Sequence, residues 1–198
     1  MKKYPHILAV FFSVFFVILS INPVDRTVWA AEVIPVIGVF VALVFTFNKF
    51  RFSNTAYTLM AIWLFWHTIG GHYTFANVPF GFVSDLFGFE RNHFDRVGHF
   101  AIGFYAFAMA EFLFKKKYAS RNFSMVSGLF FIMSVACAYE IIEWIYAVYD
   151  GGNAGLEFLG SQGDIWDAQK DMLADTLGAI TSLVVFYFYS RFDSDFSL

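Results

Sequence analysis

Six long apolar segments constrain the fold of this chain more than any other feature of its sequence. A membrane-spanning helix needs about 20 mostly apolar residues, within a range of about 17–25. We therefore predict an all-α, polytopic membrane bundle with six transmembrane helices, in which residues 1–198 form a single domain. The predicted spans are residues 6–22, 28–47, 55–75, 97–114, 124–149 and 172–190.

The composition argues against other classes of protein. Of the 198 residues, 59% are hydrophobic and 15% are charged, whereas an average soluble domain is about 45–50% apolar and about 25% charged. A single cysteine, Cys137, leaves no disulfide framework and no thiolate metal site. The basic residues form no stripe, which argues against a nucleic-acid partner. The partner that the sequence predicts is the lipid bilayer, and the oligomeric state stays open.

The lysine and arginine residues predict the orientation of the bundle. In the six-span arrangement, nine of them fall on one side of the membrane and four on the other. Because cytoplasmic loops carry the excess of basic residues, we expect both termini in the cytoplasm. The nine are Lys2, Lys3, Lys49, Arg51, Lys115, Lys116, Lys117, Arg121 and Arg191, and the four are Arg26, Arg91, Arg96 and Lys170.

The first segment has two interpretations. It follows two lysines, as the apolar part of a secretory signal peptide would. No clear small-x-small cleavage site comes after it, and residues 20–26 (SINPVDR) are typical of a turn into the next span. We therefore expect an uncleaved first helix.

Acidic residues gather on the predicted outer side. Thirteen of the 16 fall in outer loops or in the outer parts of helices. Aspartate and glutamate contribute little to topology, so this distribution needs another explanation. It indicates a polar site at the outer face. The exceptions are Glu111, Asp193 and Asp195.

Ionisable residues recur near the outer ends of four predicted spans. Asp167, Asp171 and Asp175 repeat every four residues, which stacks them along one side of a helix. Like charges stacked in this way destabilise a helix unless cations or bound protons lie among them. The other spans contribute Asp95 with His99, Glu140 with Glu143, and His67 with His72.

Carboxylates and imidazoles on facing helices resemble the metal sites of four-helix bundles. Such ligands suit Mg²⁺, Mn²⁺, Fe²⁺ or Zn²⁺. The predicted ligands are His99, Glu140, Glu143, Asp171 and Asp175, of which Glu143 and Asp171 are the candidate catalytic residues. The residues predicted around the ligands or near a substrate are His72, Asp95, Arg96, Gln162, Asp164 and Asp167.

Structural roles are the alternative for the same residues. Glu143 could pair with Arg96, and Asp95 and Asp171 could cap the helices that they open. His67 is typical of a packed histidine near the membrane interface.

Five motifs of this sequence resemble the YjdF-like family of bacterial inner-membrane proteins. They are INPVDRTVWAAEVIPV, GGHYTFANVPFG, RNHFDRVGHF, YEIIEW and GDIWDAQKDMLADTLGA, and the resemblance covers nearly the whole chain. It implies a multi-pass protein of the bacterial inner membrane and carries no activity.

A weaker similarity is to the VanZ-like membrane proteins, which implies a role in the cell envelope without a defined reaction. The residues that carry it are Asp95, His99, Glu140 or Glu143, Gln162, Asp167, Asp171, Asp175 and Gly178. The second glutamate and the longer GSQGD loop depart from that pattern.

Three functions fit these patterns. The first is a metal-dependent enzyme that acts on an envelope lipid or a lipid-linked headgroup at the outer leaflet. The second is a non-catalytic envelope binding or assembly factor. The third is a cation or proton transporter. An argument against it is that the polar groups lie at one face of the membrane rather than at the midplane. Against the enzyme, the sequence has no HExxH motif, no serine nucleophile elbow and no obvious arginine cluster for phosphate.

Overall fold

The computed structural model describes residues 3–150 and 152–192, and every regular element within them is helical. Several residues used in the charge analysis lie outside this described part. They are Lys2, Asp193 and Asp195, together with the side chains of Asp150 and Glu157.

The helices lie where the sequence predicts apolar spans, with short helices in the two long loops. In chain order they are α1 (Tyr4–Leu19), α2 (Arg26–Thr46), α3 (Asn54–Tyr73), α4 (Gly81–Phe87), α5 (Phe94–Ile102), α6 (Tyr105–Lys115), α7 (Arg121–Asp150), α8 (Asn153–Leu159) and α9 (Asp167–Phe192). A 3₁₀ turn covers Phe75–Asn77. The segment predicted as one span over residues 97–114 is two helices, α5 and α6.

Four segments of the described chain are long and apolar enough to cross a membrane. They are α2, the α5–α6 segment (Phe94–Lys115), α7 and α9. The apolar helix α1 has only 16 residues. Helix α3 has 20 residues, and its polar residues and two histidines lower its hydropathy. A bundle with several membrane-crossing helices is therefore present, while the count of six spans and the orientation of the termini stay predictions.

Side-chain caps fix where two of the long helices begin. Asp25 accepts the backbone N–H groups of Thr27 and Val28 at 2.7 and 2.9 Å, which starts α2. At the opposite end of the bundle, the carboxylate of Glu111 accepts the N–H and the hydroxyl of Ser53 at 2.7 and 2.8 Å, just before α3. Glu111 is fully buried, so this exception to the predicted outer distribution of acidic residues has a structural explanation.

Two glycines let α5 and α9 approach with their backbones in contact. A methyl group on Gly178 would overlap the carbonyl of Phe100, and one on Gly103 would overlap the backbone of Asp175 and Ala179. Small residues at a helix interface permit this approach in membranes. The break between α5 and α6 lies at this crossing, where Gly103 follows the last residue of α5. The crossing sets α5 against the outer half of α9.

The largest hydrophobic cluster lies beyond that crossing, among α3, α6, α7 and α9. Met60, Phe107, Ile132 and Phe186 are buried there. Ionisable residues at the other ends of the same helices are therefore separated from the opposite face by a packed apolar layer.

The glycine crossing generates a stability prediction. Gly178→Ala places a methyl group against the backbone of α5, and overpacking of this kind costs about 1–3 kcal/mol. Chemical unfolding in detergent solution should show a corresponding loss in the free energy of unfolding. Gly38→Ala in α2 is the matched control, because no atom lies within 4 Å of its added methyl group. Equal stability of both variants would contradict the close crossing.

Candidate functional site

Two arginines lie among the outer carboxylates of α9. Arg96 on α5 donates through Nε to Oδ1 of Asp171 at 3.1 Å and through Nη2 to Oδ1 of Asp167 at 2.6 Å. Arg91, in the loop before α5, also donates to Asp167. These guanidinium groups are the cations that let stacked carboxylates share one side of a helix.

Asp164 belongs to the same ionic network from the loop before α9. Its carboxylate accepts from Nζ of Lys170 at 2.6 Å and lies 3.5 Å from Nη atoms of both Arg91 and Arg96. The hydrogen bond from Lys170, followed by that from the N–H of Trp166, lowers the pKa of Asp164 to about 2. Asp164 is therefore ionised at neutral pH.

Three structural alternatives from the sequence are wrong. Arg96 pairs with Asp164, Asp167 and Asp171 rather than with Glu143. Helix α9 begins at Asp167, so Asp171 lies one turn inside the helix and does not cap it. Asp95 does not cap α5 either, because the cap position is His93, but it lies in the first turn, where a carboxylate is favourable.

His99 lies deeper, between carboxylates of both helices. Its Nδ1 is 3.2 Å from Oδ2 of Asp175, and its Nε2 is 3.6 Å from Oδ1 of Asp95. In the tautomer with hydrogen on Nδ1, the ring donates to Asp175 and turns the lone pair of Nε2 toward Asp95. That arrangement is typical of a metal-binding histidine held by a carboxylate.

Asp95, His99 and Asp171 form the group best placed for a metal ion among the described residues. One ligand atom from each lies within 4.8 Å of the other two. The 3.6 Å between Nε2 of His99 and Oδ1 of Asp95 is long for a hydrogen bond. It suits two ligands of one ion, since each would lie about 2.0–2.2 Å from a zinc ion. We call these three residues the triad.

The triad contains two of the five ligands predicted from the sequence, His99 and Asp171. Asp175 contacts the triad through His99, and Asp95 takes the third position. Glu140 and Glu143, on α7, lie outside the triad. The predicted metal role of all these residues stays a prediction.

A cavity of about 130 Å³ adjoins the triad. Helices α2 and α7 face each other across it, and α8 packs against both of them. Its polar lining comes from Glu32, His67, Asp95, His99, Tyr139, Glu143 and Asp175. Its apolar lining includes Pro35, Val39, Ile102, Ile132, Val135, Ala136 and Phe158.

Glu32 and His67 form a second polar pair on the α2 side of the cavity. Nε2 of His67 lies 3.1 Å from Oε2 of Glu32, and the hydroxyl of Tyr139 donates to the same oxygen at 3.3 Å. From the sequence alone, Glu32 is one of the thirteen acidic residues predicted on the outer side. Its place inside an apolar segment was a signal for this pair, because an intramembrane carboxylate usually has a partner.

Two other predicted residues hold loops in place. Nδ1 of His72 lies 2.7 Å from the carbonyl oxygen of Leu19, which joins the ends of α1 and α3. Gln162 and Asn92 exchange two hydrogen bonds at 2.9 and 3.0 Å, which fix the loop before α9 on the start of α5. Neither His72 nor Gln162 lines the cavity.

Residues 4–192 match the family described as "Predicted membrane protein (DUF2238)". The chain belongs to the DUF2238 family. It is also 36% identical over 176 residues to the inner membrane protein YjdF of Escherichia coli strain K12, an alignment that covers 87% of this chain and 82% of that relative. This confirms the YjdF-like resemblance.

The same findings locate the chain. With its several apolar helices, it is a multi-pass protein of the inner membrane. Neither finding supports the weaker similarity to VanZ-like proteins. No solved structure matches the chain.

Arg96 generates a prediction about the ionic network. Arg96→Gln removes the arginine partner of Asp171 and leaves Asp167 with Arg91 alone, and removal of one partner of a buried pair costs about 3–5 kcal/mol. The free energy of unfolding in detergent should fall by an amount of this order.

Lys170→Gln is the matched control for Arg96→Gln. Lys170 is 47% exposed and pairs with Asp164 at the edge of the network, so its loss should change stability little. If both variants unfold at the same denaturant concentration, the guanidinium of Arg96 does not stabilise the stacked carboxylates of α9.

Proposed function

We propose that the chain is a metal-dependent membrane enzyme that acts on an envelope lipid or lipid-linked headgroup at the outer face of the inner membrane. The observation that carries the proposal is the triad of Asp95, His99 and Asp171 at the wall of a cavity that is polar at one end and apolar at the other. Such a cavity fits the junction between a polar headgroup and its hydrocarbon chain.

The neighbours of the triad support metal binding. Asp175 contacts His99 and would orient its ring, as carboxylates do when they accept a hydrogen bond from a metal-bound imidazole. Arg96 donates to only one oxygen of Asp171, and that carboxylate has a second oxygen to offer an ion. Two carboxylates and one neutral imidazole would balance the charge of a divalent cation.

Glu143 is the candidate general base. Its side chain lines the cavity and is only 8% exposed, and it has no hydrogen bond or ion pair with any residue that the structure describes. A carboxylate without such a partner is free to accept a proton from water that a metal ion activates. Asp171, the other candidate catalytic residue, would act as a ligand of that ion.

A lipid substrate is supported by the position of the apolar lining. Val39 of α2 and Val135 of α7 both line the cavity. Helix α7 also carries large exposed apolar residues that are typical of a surface in contact with lipid, among them Phe131, Ile142 and Ile145. A substrate that moves in the bilayer would reach the triad between these helices.

A structural role for the cluster is the competing interpretation, because Arg96 already pairs with Asp171. The two interpretations differ in metal content. The protein purified in detergent should carry about one divalent ion per chain by elemental mass spectrometry. His99→Ala should lose the ion, because the triad then lacks its nitrogen ligand.

Two further variants sharpen the metal measurement. Asp175→Asn keeps all three ligands and should weaken metal binding by about 10–100-fold, as loss of an orienting carboxylate does. Asp85→Asn, an exposed carboxylate of α4, is the control and should keep the ion. Metal-free wild type with unchanged thermal stability in a chelator would contradict the proposed metal site.

Catalysis needs its own test. Wild-type protein in proteoliposomes of bacterial inner-membrane lipids, supplied with its divalent ion, should convert a lipid headgroup that mass spectrometry can follow. Glu143→Gln should slow that conversion by about 10²–10⁴-fold, the usual contribution of a general base. Lipids that stay unchanged despite bound metal would support a binding role and contradict the enzyme.

A further inference from the structure

The cavity is lined by more acidic than basic side chains. Its lining has four carboxylates, from Glu32, Asp95, Glu143 and Asp175, and two imidazoles, from His67 and His99. Even with both histidines protonated, the carboxylates outnumber the cations by two. No lysine or arginine of residues 3–150 and 152–192 lines it.

A metal ion at the triad leaves two of these carboxylates unbalanced. A divalent ion would offset Asp95 and Asp171, and His67 pairs with Glu32. Glu143 and Asp175 then remain on neighbouring helices, α7 and α9. A phosphate or other anion at this end of the cavity would meet like charge.

The two unbalanced carboxylates also have oxygens without a hydrogen-bond donor, since among the described residues only Oδ2 of Asp175 has a partner, Nδ1 of His99. Asp175 is 1% exposed, and its Oδ1 is buried without a partner among the described residues. Glu143 makes no hydrogen bond within that part of the chain either. Buried acceptors of this kind are costly unless a donor reaches them. An ammonium group supplies a positive charge and three N–H donors, and it accepts nothing.

The rest of the lining fits a hydrocarbon chain attached to that ammonium group. Aromatic rings of Trp63, Phe75 and Tyr139 lie in the wall, and such rings attract organic cations. A volume of about 130 Å³ equals roughly four times the 30 Å³ share of one liquid water molecule. The cavity therefore holds an amine and a few methylene groups, and a longer chain must extend between α2 and α7.

We infer that this cavity binds the amine headgroup of a membrane lipid, with the ammonium between Glu143 and Asp175 and the hydrocarbon toward the gap between α2 and α7. The inference rests on the proposed function only in making this lipid the substrate, and it then requires one oxygen of Glu143 to hold the ammonium while the other accepts the proton. A free, water-soluble amine shares the headgroup chemistry but lacks the chain that the apolar wall accommodates.

The test compares probes of matched length on the full chain as purified in detergent. Isothermal titration should show decylamine binding at least tenfold more tightly than decanol, which has the same chain without charge. It should also bind at least tenfold more tightly than butylamine, which has the charge without the chain. Equal affinity for decylamine and decanol would overturn the amine, and equal affinity for decylamine and butylamine would overturn the lipid.

Variants assign the ammonium to its carboxylates. Glu143→Gln should weaken decylamine at least tenfold, whereas Glu90→Gln, an exposed carboxylate outside the cavity, should leave it unchanged. Unchanged binding in a folded Glu143→Gln protein would overturn the assignment. Circular dichroism checks the folding, and if Glu143→Gln does not fold, the comparison of probes on wild type decides.

Failure of this inference can be told from failure of the proposed function. A wild-type protein that binds decylamine selectively but carries no metal would refute the metal-dependent enzyme and support the amine site. A protein that carries metal and converts a lipid, yet binds decylamine no better than decanol, would refute the amine site alone.

Discussion

The pairing of α5 with α9 is the interaction on which the rest of the outer face depends. Helix α9 brings three carboxylates at four-residue intervals into a setting where unpaired charge is costly. Helix α5 provides partners for them, with Arg96 beside Asp167 and His99, one turn further along α5, beside Asp175. The match requires the two backbones to touch, and Gly103 and Gly178 permit that contact. The contacts among the charged side chains thus depend on backbone packing at the α5–α9 crossing.

The charges divide into two levels along α9. At the outer level, Arg91, Arg96 and Lys170 surround Asp164 and Asp167, and this level holds the loops on the bundle. At the inner level, Asp175 has one partner and one unpaired oxygen. About two helical turns separate Asp167 from Asp175, so one helix carries both a stabilising network and groups with capacity for a ligand.

The sequence was sufficient for an all-helical bundle with several apolar spans, although it did not show the break between α5 and α6. The length of an apolar segment and the distribution of charge can be read along the chain, without knowing which helices pack together. Which carboxylates come together depends on how the helices pack, and this cannot be read from one segment of the chain. The sequence predicted Asp171, Asp175, Glu140 and Glu143 around His99, and it did not predict that the α5–α9 crossing brings Asp95 together with His99 and Asp171. Spacing defines a face of a helix, and only the crossing decides what that face meets.

Arg91 shows the same limit from a loop. It reaches Asp167 across 76 positions of the chain, and nothing in its immediate sequence marks that partner. Glu32 differs, because a carboxylate inside an apolar segment signals a buried partner even when the partner is unnamed. The sequence therefore shows that burial of the Glu32 carboxylate is costly, and the structure shows that His67 and Tyr139 are the partners that offset this cost.

The position of the short helix α8 affects which concentration of a ligand would set its occupancy of the cavity. Phe158 and Gly160 close the loop side of the cavity, and the hydrogen bonds between Gln162 and Asn92 hold that cover down. The proposed lipid, entering between α2 and α7, would arrive by diffusion in two dimensions. Its occupancy would then follow its mole fraction within one leaflet, so a change in membrane composition would act on the site directly while dilution of the surrounding medium would not.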